Sequence, residues 1–368
     1  LVGNNDYDGL VGRTSQFNGL CRAAECRALD LAAMRFSFEL FADALTRPVF
    51  SEGEFAKARD ERVAAAKALK DEPDRIVSLY ARAFFFGPGH PYGRPADELS
   101  YSSITRQEVI DYHRSLYVGS NLFLVAAGDF DPAEMGKRLA ERFGSLPAGS
   151  SYSWKPAANP VFQGARLLLV DKPDATQTYL SIQQPGIHRS HPDRVVLLLV
   201  NTLFGGRFTS MLNDELRVNS GLTYGASSRF QTDRLPGALS MTTFTKTETT
   251  AKTIDLVLEV LQRLRDKGIS AEQLQSAKSY VKGVFPTDNL ETSDQLAQVL
   301  GDLELFTLSR GQIDDLFSRI DSITEEQATA AARKYYRAEN LQFTLIGNAA
   351  QIRDAVARYA PAQKTLSI

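Results

Sequence analysis

Apolar and polar residues alternate one for one in ATQTYLSIQQ (175–184) and GALSMTTFT (237–245), the period of strands with one covered and one wet face. Elsewhere apolar positions recur every three or four residues, the spacing of amphipathic helices. On these periods the first part of the chain predicts helices near 29–46, 51–70, 74–86, 105–116 and 131–144, with one strand at 121–128. The second part opens with strands near 166–171 and 176–184, then helices at 193–203 and 207–218. Strands at 223–230 and 237–247 follow, then helices at 249–266, 270–284, 292–308 and 324–336, a strand at 340–347 and a last helix. The predicted class is α+β.

The pattern also repeats. A shift of 219 residues lays Ile104-Thr105 on Ile323-Thr324, Tyr117 on Tyr336, Asn121-Leu122 on Asn340-Leu341 and Gly128 on Gly347. Both copies are an N-capped helix that turns at Asn into an apolar strand, NLFLVAAGD and NLQFTLIGN. The same shift lays FSEGEFAKAR, from Phe50, on ISAEQLQSAK, from Ile269. Two homologous α/β units are expected, each a mostly antiparallel sheet covered by helices. Pro, Gly, Ser and Asn crowd 148–162, where periodicity vanishes; this is the predicted linker between domains 1–147 and 163–368, with Tyr152 and Trp154 able to tack it to one half.

Composition removes several functions. The 368 residues are 43% hydrophobic and 23% charged, enough for two cores beneath a solvated surface. A net charge of -2 and a pI near 6.2 do not suit a nucleic-acid partner. No run approaches the length of uninterrupted apolar sequence that crosses a bilayer, so no membrane span is expected. Cys21 and Cys26 make neither a disulfide framework nor, as a lone C-x4-C, a zinc site. The start carries no initiator Met, basic n-region or apolar h-region. Abundant Ala and Arg favour a bacterial source, with the periplasm favoured over the cytoplasm and the compartment otherwise open.

Candidate chemistry is sparse. Among His90, His113, His188 and His191 there is no H-E-x-x-H or H-x-x-E-H, the spacing that sets two imidazoles on one helical face. His188 and His191 lie in a Pro-flanked loop, His90 in the turn GPGHPYGRP, and His113 in a helix, where packing roles are expected. No G-x-S-x-G elbow occurs, and neither Cys has a nucleophile's context. Gly205-Gly206-Arg207 lacks the lysine and serine of a phosphate loop.

What remains is NTLFGGRFTSMLNDELRVNSGLTYGASSRF, 201–230. It predicts a helix ending near Leu203, a Gly-Gly turn, and a helix with Phe208, Leu212 and Leu216 on one face. A left-handed glycine stop at Asn219-Ser220-Gly221 then leads to a strand beginning at Leu222-Thr223-Tyr224. Arg217 thus ends a helix and Tyr224 opens a strand, and the turn between them can aim both at one place.

The segment resembles the C-terminal-half signature of the zinc peptidases that include pitrilysin, insulin-degrading enzyme and mitochondrial processing peptidase, the inverzincin type. The matching residues are Gly205-Gly206, Ser210, Leu212, Leu216-Arg217 and Gly221-Leu222-Thr223-Tyr224, supported by ALTRPVF from Ala44, GHPYGRP from Gly89 and VAAGD ending at Asp129. In that family two halves close as a clamshell, and this chain would form one half-clamshell. The resemblance implies that Arg217 and Tyr224 bind the substrate carbonyl and stabilise an oxyanion, with Gly205, Gly206 and Phe208 bordering an extended peptide substrate. The helix that would carry the family's third zinc ligand reads ERVAAAKA from Glu61, with Ala64, Ala65 and Ala66 in the window. The stretch before residue 36 is also shorter than the family's first strands and helices need, so the N-terminal domain is expected to be degenerate and incomplete at its start. The expectation is therefore a non-catalytic subunit that binds no metal itself and pairs, as a heterodimer, with an H-x-x-E-H subunit supplying zinc. Two alternatives stand beside it: an inactive scaffold subunit, or a self-sufficient zinc peptidase whose metal motif lies outside these residues.

Overall fold

The computed structural model describes residues 38–153, 157 and 160–368. Cys21, Cys26, Trp154 and the first part of the helix predicted at 29–46 lie outside them. In chain order the first helices are α1 (38–46), α2 (Glu52–Ala68), α3 (Pro73–Phe86), α4 (Glu98–Ser102), α5 (Arg106–Leu116) and α6 (Pro132–Phe143). Then come β1 (Arg166–Asp171), β2 (Gln177–Pro185), α7 (Arg194–Asn201), α8 (Met211–Asn213), β3 (Ala226–Thr232) and β4 (Pro236–Lys246). Helices α9 (Thr250–Lys267), α10 (Ala271–Asn289), α11 (Ser293–Leu305), α12 (Gly311–Asp314), α13 (Leu316–Ser322) and α14 (Glu325–Tyr335) precede β5 (Gln342–Gly347), α15 (Ala349–Val356) and β6 (Ala362–Ser367). The chain divides into two units, one of Leu1–Ala68 with Ala96–Lys155, the other of Leu69–Pro95 with Pro156–Ile368.

The second unit is built on a six-stranded sheet in the order β3-β4-β2-β5-β1-β6. β1 runs parallel to β5 and β6, while the β2–β5, β2–β4 and β3–β4 pairs are antiparallel. This is the mixed α/β architecture with a helix-covered sheet that the periods predict. One face packs Leu167, Leu169, Leu180, Met241 and Phe343 against the apolar stripes of α7, α9 and α14. That burial is the main source of stability, at about 25 cal/mol per Å² removed from water.

The other face departs from expectation. A wet face was expected, yet Ser181, Gln183, Gln342 and Thr344 are buried. The reason is α3, whose Ile76 and Val77 pack on Leu168, Val170 and Ile346. Two of the polar residues beneath it are tied together: the Gln342 amide donates to the carbonyl of Ala81 at 3.0 Å and to Gln183 Oε1 at 3.2 Å. Segment 69–95 thus clusters with the C-terminal sheet, not with the rest of 1–147. Strand β6, which has no apolar alternation and is mostly exposed, pairs with β1 and was not predicted.

The first unit is helical. Residues 122–127, predicted as a strand, form none, and no described residue of that unit pairs with them. His113 behaves as expected, hydrogen-bonded to the carbonyl of Leu45 at 2.9 Å and stacked on Tyr117. The repeat is reproduced in its helices but not in its strand. Helices α5 and α14 begin and end at the same offset and each opens with a capping box, Thr105 with Glu108 and Thr324 with Gln327. α2 and α10 likewise start one offset apart.

Residues Arg194–Asn219 have the length and hydropathy of a membrane span. They lie largely within the second unit, with Leu197, Leu199, Phe204, Leu212 and Leu216 in its core, and are interrupted at 207–210. The run is a core element.

Candidate functional site

The nominated segment is two π-helical turns joined by a loop. The first, Thr202–Gly206, continues α7; the second, Asp214–Asn219, continues α8 and carries Arg217. π turns are rare and concentrate at functional sites, because the wider ring pushes one residue out of helical register. The helix predicted over 207–218 therefore starts only at Met211. Leu212 and Leu216 are buried as expected, but Phe208 lies in the preceding loop, 65% exposed.

Gly205 is buried against β3: a β-carbon there would come within 2.5 Å of Ser228 N and Oγ. Only glycine allows the helix end so near the sheet. Gly206 is exposed, and a β-carbon there would lie 2.9 Å from the Asn201 carbonyl oxygen. Asn201 ties the two elements together, donating to the Ser228 carbonyl at 2.9 Å and accepting from the Ser228 hydroxyl at 2.6 Å.

The second π turn ends as predicted, at Gly221 with φ +63°. The N–H groups of Leu222 and Thr223 turn back to the carbonyl of Leu216, so strand β3 cannot begin at Leu222 and starts at Ala226 instead. Tyr224 consequently projects from a short loop and is 74% exposed. Hydroxyls on β4 hold that loop: Thr245 donates to the Leu222 carbonyl at 2.8 Å and Thr243 to the Gly225 carbonyl at 2.9 Å. Asn213 spans the opening, donating to the Phe208 carbonyl at 2.7 Å and accepting from the Ala226 N–H at 3.2 Å.

The result is a single cluster of half-buried Arg217 with exposed Phe208 and Tyr224. The Arg217 guanidinium lies 4.3 Å from the Tyr224 ring centroid and 4.8 Å from that of Phe208. Both contacts are of cation–π type. Its edge N–H groups make no hydrogen bond or ion pair among the described residues, and neither does the Tyr224 hydroxyl. Five planar donors and a phenol are thus held together and uncommitted, a geometry suited to a carbonyl or oxyanion. Sequence reading nominated Arg217, Tyr224 and Phe208, which the fold brings together. It did not nominate Asn213, Thr243 or Thr245; their only signal is a polar residue beside the turn and the polar half of the β4 alternation.

The other candidates fall elsewhere. His90 is buried, and its Nδ1 accepts the Tyr92 N–H at 3.0 Å. His188 and His191 lie in a loop, where His191 Nδ1 accepts the Asp193 N–H at 3.0 Å. Ala64, Ala65 and Ala66 sit in α2, and no three His, Cys, Asp or Glu side chains converge among the described residues.

Fold and site together define a helix-covered mixed α/β domain presenting an Arg/Tyr pair from a helix-end loop. A sequence model of the peptidase M16 inactive domain matches residues 103–281, which include Gly205, Arg217 and Tyr224. An uncharacterised zinc protease of Mycobacterium leprae is 28% identical over 306 residues, 82% of this chain and 68% of its own length. The non-peptidase homolog YmxG of Helicobacter pylori is 23% identical over 262 residues, 68% of this chain and 58% of its own. The crystal structure of the peptidase M16 inactive domain from Pseudomonas fluorescens matches with a TM-score of 0.79 at 24% identity, covering 91% of this chain and 77% of that one. Residues 103–281 are thus similar to the inactive domain of the peptidase M16 family, in agreement with the resemblance read from the sequence.

Proposed function

We propose that this chain is the non-catalytic subunit of a heterodimeric zinc endopeptidase, lending Arg217 and Tyr224 to the site of an H-x-x-E-H partner. The observation that carries the reading is the uncommitted pair of half-buried Arg217 and exposed Tyr224. The metal is the partner's. What this chain supplies is charge and hydrogen bonds: the Arg217 edge N–H groups and the Tyr224 hydroxyl donate to the scissile carbonyl as negative charge develops on its oxygen. Stacking on Phe208 and Tyr224 fixes the guanidinium plane, so little ordering is left for the substrate to impose. An extended peptide would lie along edge strand β3, which starts two residues after Tyr224, and pair through main-chain hydrogen bonds.

The test is reconstitution with the zinc-bearing partner on a fluorogenic peptide. Arg217→Ala and Tyr224→Phe are each expected to lower kcat by about 10²–10³; Tyr224→Phe, at an exposed hydroxyl, should leave the melting temperature unchanged. Wild-type kcat in both variants would refute the reading. It would favour a scaffold role instead, a possibility supported by the relative named a non-peptidase homolog.

A further inference from the structure

The second unit holds another concentration of cations, at the far end of the helix that leads to Gly205. Arg189, on the loop after β2, pairs with Asp302 of α11 at 2.6 Å. Arg194, at the start of α7, and Arg319 of α13 both donate to one oxygen, Gln312 Oε1, each at 3.1 Å. Neither has a carboxylate partner among the described residues. Three guanidiniums therefore share one acid. The Nε atoms of Arg189 and Arg194 are buried without a hydrogen-bond partner. Burial, reinforced by the neighbouring Arg189 and Arg319, pulls Arg194 down to about 10.

Arg319 also lines a cavity of about 410 Å³ between α7, α13 and α14, together with Lys334, Ser322, Gln327 and the first turn of α7. That turn has no side-chain cap, so its positive dipole end adds to the same sign. The acid on the wall is Asp193, which is already engaged by the Tyr335 hydroxyl at 2.5 Å and by Lys334 at 3.1 Å. We propose that this cavity binds the phosphate or carboxylate group of a small ligand, held by Arg319 and Lys334 with Ser322 and Gln327 as neutral hydrogen-bond partners. Arg194 and Arg189 stand behind Arg319 and raise the local potential. The site is separate from the Arg217–Tyr224 cluster and does not depend on the peptidase reading.

The experiment is calorimetric titration of the full chain with inorganic phosphate and, separately, with malonate, at constant ionic strength in chloride. One saturable site is expected, for at least one of the two anions. Saturation by phosphate alone assigns a phosphorylated ligand; saturation by malonate assigns a carboxylate. Arg319→Gln is expected to weaken binding by about ten- to a hundred-fold, the worth of a charge-assisted hydrogen bond. Lys334→Gln, on a side chain 64% exposed that can be lost without unfolding, should act in the same direction. Lys282→Gln, a surface cation paired with Asp321, should bind as wild type. No heat beyond that of chloride dilution, or equal binding by wild type and both cavity variants, overturns the proposal.

Discussion

Asn213 is buried at 4% exposure and joins the loop of Phe208 to the strand that follows Tyr224. Asn213→Ala would leave one carbonyl and one N–H without partners, each worth about 1–3 kcal/mol when buried. A loss of about 1–3 kcal/mol in urea denaturation is expected, together with a lower kcat in the reconstituted enzyme as the two rings move. His90 gives a pH effect of definite sign. Burial, with Arg82 nearby, holds its pKa below the usual 6.5, so the unfolded chain takes up the proton first. Its contribution is complete above about pH 6.5 and is lost as pH falls towards the folded value. His90→Asn keeps an acceptor for the Tyr92 N–H but does not titrate. Its stability should fall less steeply between pH 7 and 5, as read by denaturant midpoints at each pH; an unchanged slope would place the proton uptake elsewhere. At this scale Arg217 and Tyr224 were legible because their spacing around a glycine stop is a local property. Asn213 and Thr243 were not, since their partners lie 13 and 18 residues away.

Capping boxes at Thr105 and Thr324 were readable because a cap involves only four consecutive residues. Thr324→Ala should cost about 1 kcal/mol, measured as a shift in melting temperature. The Gly-Gly turn was readable as a turn, but its reason was not. Gly205→Ala must move a β-carbon away from Ser228 backbone and hydroxyl, at a cost of about 1–3 kcal/mol. The same change at Gly221 would be strained by φ alone, with no neighbour within 4 Å. Strand assignment failed where pairing decides it. NLFLVAAGD and NLQFTLIGN have the same pattern, yet only the second lies in a ladder, between β1 and β2. Strand β6 lacks alternation and exists because β1 offers it an edge.

In the second unit the centre of the sheet sets overall stability. Every residue of β5 is buried, whereas no residue of α11 is. Hydrogen exchange of the intact chain should therefore find Phe343–Ile346 opening only with global unfolding of the unit, and α11 opening at lower free energy. Comparable protection in both would mean that α11 is covered. The amino-acid sequence by itself determined the α+β class, the 219-residue repeat, most helix limits and the Arg217–Tyr224 segment. All of these rest on periodicity, caps and turns, which act within a few residues. Tertiary structure alone decided that α3 roofs the second face of the sheet and buries its polar side chains. It alone set the Arg217 guanidinium between two rings, because contacts across the chain depend on which surfaces meet in space, and no local period records that.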